Sequence, residues 1–175
     1  MEKTTQNHLQ GGEFLLRKTE STDIFSPEDF SEEQRMMGDT VTEFVDREIV
    51  PNKKRFEEHD YKLTEQLLRK AGKFGFLGIT IPEKYGGLAM DFVTSIMVCD
   101  RISGATGSFA TAFGAHSGIG TLPIALYGND TQKQTYLPKL VTGEWIGSYA
   151  LTEPGAGSDA NSGTTSAKLS EDGKH

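Results

Sequence analysis

A glycine-rich turn carries the residues whose types and spacing are best suited to chemistry in this 175-residue chain. It spans residues 149–159 and reads YALTEPGAGSD. Pro154, Gly155 and Gly157 prevent regular structure and expose backbone N–H groups, and Ser158 adds a hydroxyl. Several donors can therefore converge on one anion. The pattern is compatible with a phosphate cradle or with a plain surface turn, and turns of this composition are more often the latter.

Two other side chains are candidates for acid–base chemistry. Glu153 offers a carboxylate, but its position beside Pro154 at a strand end favours bracing of the turn over catalysis. His116 stands among small apolar residues, which favours an interior or cavity-lining histidine over a base.

The sequence lacks the patterns of several other site classes. Its histidines are scattered, with no pair at three- or four-residue spacing beside a carboxylate, so no metal site is predicted. Neither G-x-S-x-G nor G-x-G-x-x-G after a strand occurs, and the glycine-rich turn has no P-loop lysine. Nucleophile-elbow hydrolysis, Rossmann dinucleotide binding and nucleoside triphosphate hydrolysis are therefore not predicted.

The composition narrows the class of protein. The net charge is −7, from 18 basic and 25 acidic residues without a long basic run, which argues against nucleic acid as a partner. The single cysteine, Cys99, excludes an internal disulfide and favours a buried thiol over a reactive one. No apolar run reaches the 18 residues of a membrane span, and the N-terminus resembles neither a signal nor a transit peptide. We expect a cytoplasmic protein, or a mitochondrial matrix protein if a transit peptide has been removed.

The elements that must position the turn are predicted to be mainly helical. Ser31 and the glutamine three residues later form a capping-box pattern, and apolar residues at helical spacing then continue to about residue 50. A second helix is predicted over 64–73. A third, over 90–102, is apolar on more than one face and is predicted to be buried all round. A fourth is predicted over 129–140, although Pro138 conflicts with it.

Two stretches around the turn are unusual. Residues 109–127 are apolar yet rich in glycine, and each glycine costs a helix roughly 1 kcal/mol relative to alanine. Such a composition predicts close approach by another helix or by a ligand, and helix packing is the commoner cause. Residues 145–152 and 164–169 read as strands, and 171–173 as a hairpin turn. Because a hairpin needs a returning strand, we expect the sequence to stop inside a domain.

Several segments together resemble the N-terminal half of an acyl-CoA dehydrogenase. They are IPEKYGG at 81–87, YG, QK and YLPKL within 127–140, the pair Gly143 and Glu144, and TEPGAGSD in the turn. Their order and spacing fit the family from about residue 26 to residue 175. The GGEFLL arm at 11–16 and the segment 114–116 are most similar to the very-long-chain branch.

The resemblance implies a mainly α fold that is truncated. Residues 1–25 would be an extended arm, 26–144 the α-helical N-terminal domain, and 145–175 the first strands of a middle β-domain. The family oxidises the α,β bond of an acyl-CoA in fatty acid β-oxidation. A carboxylate base removes the α-proton while the β-hydride passes to N5 of FAD. Acyl-CoA as substrate, electron-transfer flavoprotein as electron acceptor and a homo-oligomeric full-length protein are implied with it.

The resemblance also assigns site residues. The cofactor-binding residues would be Tyr149, Ala150, Leu151 and Thr152 along the isoalloxazine, with the Thr152 hydroxyl near N5, and Gly157 and Ser158 at the pyrophosphate. On the substrate side, Ser158 would also contact CoA, and Gly114, His116 and Gly118 would border a cavity for a long acyl chain.

The catalytic base is expected beyond His175, so we expect the chain alone to be inactive and to bind FAD weakly. Two alternatives stay open: a flavoprotein of the same fold with oxidase or monooxygenase chemistry, and a non-catalytic helical association module.

Overall fold

The computed structural model describes Leu9, residues 11–20 and residues 23–173. Over these residues the chain forms seven α-helices, which confirms the mainly α fold. They are α1 (Glu32–Phe44), α2 (Lys53–Glu57), α3 (Tyr61–Lys73), α4 (Phe92–Ser103), α5 (Gly107–Gly114), α6 (Leu122–Tyr127) and α7 (Asp130–Val141).

Shorter helical turns connect and extend these helices. Two π-helical segments occur, Val45–Ile49 after α1 and Ala115–Thr121 between α5 and α6, so that residues 107–127 form one continuous helical stretch. The 3₁₀ turns that lie wholly within the described residues are Glu13–Leu15, Pro27–Asp29, Val50–Asn52, Phe76–Gly78, Glu83–Tyr85 and Ala160–Ser162.

The helices begin where their side chains satisfy free backbone N–H groups. In the predicted capping box, Ser31 Oγ accepts from the Gln34 N–H at 3.1 Å, and Gln34 Oε1 accepts from the Ser31 N–H at 2.9 Å. Asn129 caps α7 through the same reciprocal arrangement. Helix α3 starts at Tyr61, three residues earlier than predicted, because Asp60 accepts from the Leu63 N–H at 3.0 Å.

Helix α7 runs through Pro138, so the conflict seen in the sequence does not end it. The proline ring lies on the exposed side of α7. Water can therefore satisfy the carbonyl that loses its amide partner there.

The core is organised around phenylalanine rings from several helices. Phe44 of α1 lies 5.5 Å from Phe76, and Phe56 of α2 lies 5.5 Å from Phe109 of α5, measured between ring centroids. All four side chains are buried. A second cluster, which includes Tyr85, Leu137 and Val141, packs α7 against the turns after residue 76 and so fixes the point where the chain leaves the helices.

Helix α4 corrects one prediction, because it is not buried all round. Its inner face, with Val98 and Ile102, packs in the core, whereas Phe92 and Ile96 are 67% and 53% exposed. Apolar composition shows which residues could be buried, but it does not show whether a neighbouring element covers them. Among the described residues, no helix is both long enough and apolar enough to cross a membrane.

The predicted strands are a second correction. Residues 145–152 and 164–169 have no strand assignment, and the β pairing found in the described residues is a single isolated bridge between Glu153 and Ala156. A strand is stabilised by its ladder to a neighbour, and neither segment pairs with a partner strand in this part of the chain. The turn at 171–173 does form, with the Gly173 N–H donating to Ser170 O at 2.9 Å.

Candidate functional site

The glycine-rich turn is closed by its own backbone. Glu153 and Ala156 exchange two N–H···O bonds, both of 3.1 Å, around Pro154 and Gly155. Ala156 is buried and anchors the turn. Immediately after it, the N–H groups of Gly157 and Ser158 make no hydrogen bond to any other described residue. These adjacent, exposed donors fit the binding of an anion such as a pyrophosphate.

Glu153 braces the turn, as the sequence interpretation held. Its carboxylate accepts from the Thr164 N–H at 2.7 Å and from the Thr165 N–H at 3.1 Å. Hydrogen bonding from Thr165 and from the backbone of Thr164 lowers the pKa of the carboxyl below its ordinary value. Residues 153 and 164–165 are therefore tied together, and this carboxylate is a poor proton acceptor.

Residues 149–152, the first part of the glycine-rich turn, are exposed and have no helix or strand assignment. Tyr149 and Leu151 are 56% and 47% exposed, and Ala150 and Thr152 are exposed beside them. No hydrogen bond from the Thr152 hydroxyl to the described part of the chain is made. An aromatic ring, small aliphatic groups and an available hydroxyl are suited to lie against a flat ring system.

Helix α7 holds the beginning of this segment. The Trp145 N–H donates to Lys139 O at 3.1 Å, and the Lys139 ammonium lies 4.2 Å from the centre of the Trp145 ring. Tyr136 adds a ring contact at 6.0 Å. The end of α7 therefore sets the direction in which residues 145–152 leave the helical body.

A pair of glycines brings the segment against the π-helical turn. A Cβ on Gly120 would lie 2.7 Å from the carbonyl carbon of Gly147, closer than such atoms can approach. This explains one glycine in the small-residue stretch 109–127 by close approach of backbone. Gly114 and Gly118 differ, because a Cβ on either would meet nothing within 4 Å among described atoms outside the local helix backbone.

His116 connects the same two elements from inside. It is fully buried, its Nδ1 accepts from the Gly147 N–H at 3.0 Å, and its Nε2 lies 2.9 Å from Leu140 O. An amide N–H can only donate and a carbonyl can only accept, so Nδ1 is unprotonated and Nε2 carries the proton. Burial lowers the pKa of His116, against the opposing effect of the Leu140 bond. The interior histidine favoured by the sequence is confirmed.

An apolar cavity of about 190 Å³ lies between α4, α5 and the turn after Phe76. Gly114 and Gly118 line it, whereas His116 points elsewhere, into its bonds with Leu140 and Gly147. Cys99 also borders the cavity, and burial raises the pKa of its thiol, so it is a weak nucleophile.

Residues 31–144 match the family model described as the acyl-CoA dehydrogenase N-terminal domain. The chain belongs to the acyl-CoA dehydrogenase family. It is 42% identical over 175 residues to a probable acyl-CoA dehydrogenase of Bacillus subtilis (strain 168), covering 100% of this chain and 29% of that relative. It is 38% identical over 130 residues to the mitochondrial isovaleryl-CoA dehydrogenase of Bos taurus, covering 74% of this chain and 30% of that protein.

Solved structures of acyl-CoA dehydrogenases share the fold. An acyl-CoA dehydrogenase from Bacillus anthracis, complexed with FAD, superposes with a TM-score of 0.87 at 45% identity, covering 94% of this chain and 28% of that one. The chain therefore spans less than a third of the length of these relatives.

The sequence did not identify the contacts that hold residues 145–152 in place. Gly120, Gly147 and the Leu140 carbonyl form the support, yet each is ordinary in its own local sequence. The excess of glycine in 109–127 pointed to a close approach, but it did not identify which glycine or which partner.

Proposed function

We propose that this chain supplies one wall of the active site in an FAD-dependent acyl-CoA dehydrogenase that oxidises the α,β bond of a fatty acyl-CoA. The observation that carries the proposal is the continuity of two surfaces. The exposed segment 149–152 leads through a closed turn into the adjacent N–H donors of Gly157 and Ser158. The first surface suits a flavin ring and the second its pyrophosphate.

The chain's own residues would bind and orient the reactants. Thr152 offers its hydroxyl at the flavin-facing surface, where it can fix the ring by a hydrogen bond, while Tyr149 and Leu151 exclude water from one face. Ser158, at the end of the turn, is placed to contact the CoA moiety as well. Bound FAD would accept the hydride, so the contribution of these residues is alignment of the two reactants.

We assign the base for the α-proton to a part of the polypeptide outside these 175 residues. Glu153, the carboxylate within the turn, is committed to the N–H groups of Thr164 and Thr165, and its lowered pKa opposes proton uptake. The chain by itself would therefore be inactive. Transfer of electrons to an electron-transfer flavoprotein, a homo-oligomeric assembly and a cytoplasmic location belong to the same proposal.

The acyl group would be long, because the small residues Gly114, Ser117 and Gly118 form part of the cavity wall. Gly114 and Gly118 line the 190 Å³ cavity and leave room where side chains would otherwise project. An alkyl chain is bound mainly by burial of its apolar surface, at roughly 0.8 kcal/mol per CH₂. The space beside Gly114 and Gly118 would therefore favour the binding of longer acyl chains.

The test uses the full-length protein with a series of saturated acyl-CoA thioesters and an artificial electron acceptor. The wild type should reduce the acceptor with bound FAD, and Gly118→Leu should shift the optimum of kcat/KM towards shorter chains. Gly107→Leu is the matched control, since Gly107 is an exposed glycine on α5 that does not line the cavity. An unchanged chain-length profile in Gly118→Leu would disprove the acyl-cavity assignment.

A second measurement addresses the type of flavin chemistry. Oxygen consumption that matches substrate turnover, with no need for an acceptor, would contradict the dehydrogenase assignment in favour of an oxidase. FAD binding followed by flavin fluorescence should weaken in Ser158→Pro, because proline removes one of the two adjacent N–H donors. Ser158→Gly keeps that N–H and is the control.

A further inference from the structure

His116 contacts three elements that the proposed reaction needs in a fixed arrangement. Its backbone lies in the π-helical turn, between Ala115 and Ser117, and the latter borders the apolar cavity. Its Nδ1 reaches Gly147, two residues before residues 149–152, the proposed flavin-facing segment, and its Nε2 reaches the end of α7. One buried side chain therefore links the cavity wall, the flavin-facing segment and the helix from which that segment departs.

On the basis of the function proposed above, we propose that His116 is a positioning residue, which holds the flavin-facing segment at a set distance from the acyl cavity through one neutral imidazole tautomer. Both ring nitrogens are used, one as acceptor and one as donor. The opposite tautomer would set an Nδ1 proton against the Gly147 N–H, so that two donors face each other. A ring flipped about Cβ–Cγ would present Cδ2–H to Gly147 and Cε1–H to Leu140 and would break both bonds. In a fully buried site no water compensates for such a mismatch.

The surrounding structure fixes His116 further. The Thr121 hydroxyl donates to the His116 carbonyl at 2.7 Å, across the π-helical turn. Gly120, in the same turn, touches the backbone of Gly147. The imidazole therefore bonds to a segment that is already in van der Waals contact, so small changes in its length or donor pattern move residues 147–152 directly. Displacements of about 1 Å at a reacting centre can cost on the order of a hundredfold in rate.

Two substitutions of similar polarity separate positioning from simple packing. In His116→Asn the amide oxygen occupies the place of Nδ1 and can still accept from Gly147, while the bond to Leu140 is lost. In His116→Gln the amide nitrogen occupies the place of Nε2 and can still donate to Leu140, while the bond to Gly147 is lost. Each variant removes one buried bond, so comparable losses of thermal stability are expected.

The experiment compares both variants in the full-length protein by steady-state kinetics and by amide hydrogen exchange of residues 145–152. We expect His116→Gln to lower kcat on the order of tenfold with a smaller change in KM, and to increase exchange in this segment. His116→Asn should retain most of kcat and of the exchange protection. Equal losses in both variants, in proportion to stability, would show that the side chain only fills space and would overturn the proposal.

A measurement on the wild type needs no variant to fold. Nitrogen-15 NMR of the histidine side chains should show His116 with an unprotonated Nδ1 and a protonated Nε2. The opposite tautomer would refute the proposed positioning role of His116. The outcome is separable from the proposed function. If the wild type oxidises no acyl-CoA, that function fails, whereas tautomer and hydrogen exchange still decide whether His116 holds the segment.

Discussion

Gly120→Ala is the substitution that tests most directly how residues 145–152 are supported. The added methyl would lie 2.7 Å from the carbonyl carbon and 2.9 Å from the Cα of Gly147. Both are backbone atoms, so no rotamer change relieves the overlap and residues 145–149 have to move away. Gly118→Ala is the matched control in the same π-helical turn, since its methyl would meet no described atom within 4 Å outside the local helix backbone.

The expected change in the free energy of unfolding of Gly120→Ala follows from three contributions. Overlap in a well-packed contact costs about 1–3 kcal/mol. Replacing glycine by alanine in a helix recovers about 1 kcal/mol. Separation of the segment also breaks the 3.0 Å bond between Gly147 and His116, which contributes about 1 kcal/mol. The free energy of unfolding of Gly120→Ala should therefore fall by about 1–3 kcal/mol, whereas that of Gly118→Ala should rise by up to about 1 kcal/mol.

The assay is urea denaturation of the chain, followed by circular dichroism and by tryptophan fluorescence. Trp145 is the single tryptophan and lies next to the contact, so its emission in the native state reports displacement of the segment. We expect a lower midpoint and a red-shifted native emission for Gly120→Ala, and neither change for Gly118→Ala. If both variants moved the midpoint in the same direction by similar amounts, the close contact of the two backbones would be refuted.

Three further substitutions test the helical core, the cap of α7 and the glycine-rich turn. Phe109→Ala should lower the free energy of unfolding by about 3–5 kcal/mol in chemical denaturation, because a fully buried ring between helices is deleted. Asn129→Ala should cost about 1 kcal/mol in the same assay, because the Gln132 backbone N–H at the start of α7 loses the Asn129 Oδ1 acceptor. Glu153→Gln should speed amide exchange at Thr164. In the wild type, the ionised Glu153 carboxylate protects the Thr164 amide from exchange above the ordinary carboxyl pKa of 4.5, and this protection is lost as the pH falls through the lowered pKa of the folded state. In Glu153→Gln, the protection of Thr164 should not depend on pH in this range.

Local signals in the sequence predicted four of the seven helices in the described residues, α1, α3, α4 and α7. Ser31 with its partner three residues on, and the periodic apolar residues that follow, predicted α1 because capping and burial of one face act within a few residues. The family strings at 81–87 and in the turn then predicted the mainly α fold. Glu153 was interpreted correctly for a similar reason, since its position beside a proline limits what it can reach.

Contacts between residues far apart in the sequence could not be predicted from these local signals. The partners Gly120 and Gly147, and the bonds of His116 to Leu140 and Gly147, join residues 24 to 31 positions apart, and no local pattern encodes which glycine meets which backbone. The strands predicted at 145–152 and 164–169 failed for the complementary reason. Their composition favours extended backbone, but a strand exists only with a neighbour, and pairing is a property of the whole fold.

The attachment of residues 145–152 at one end, through Trp145 and Gly147, also bears on the order of folding. Many helix contacts join elements close in sequence, such as α2 with α3, α4 with α5 and α6 with α7, and such local topology favours rapid assembly. Because N-terminal units fold first during synthesis, the helical body can form before the segment docks. The close approach of Gly120 to Gly147 then forms as the later part of the chain docks on this body. A substitution that prevents this contact would delay docking and leave the backbone of residues 145–152 exposed to other chains.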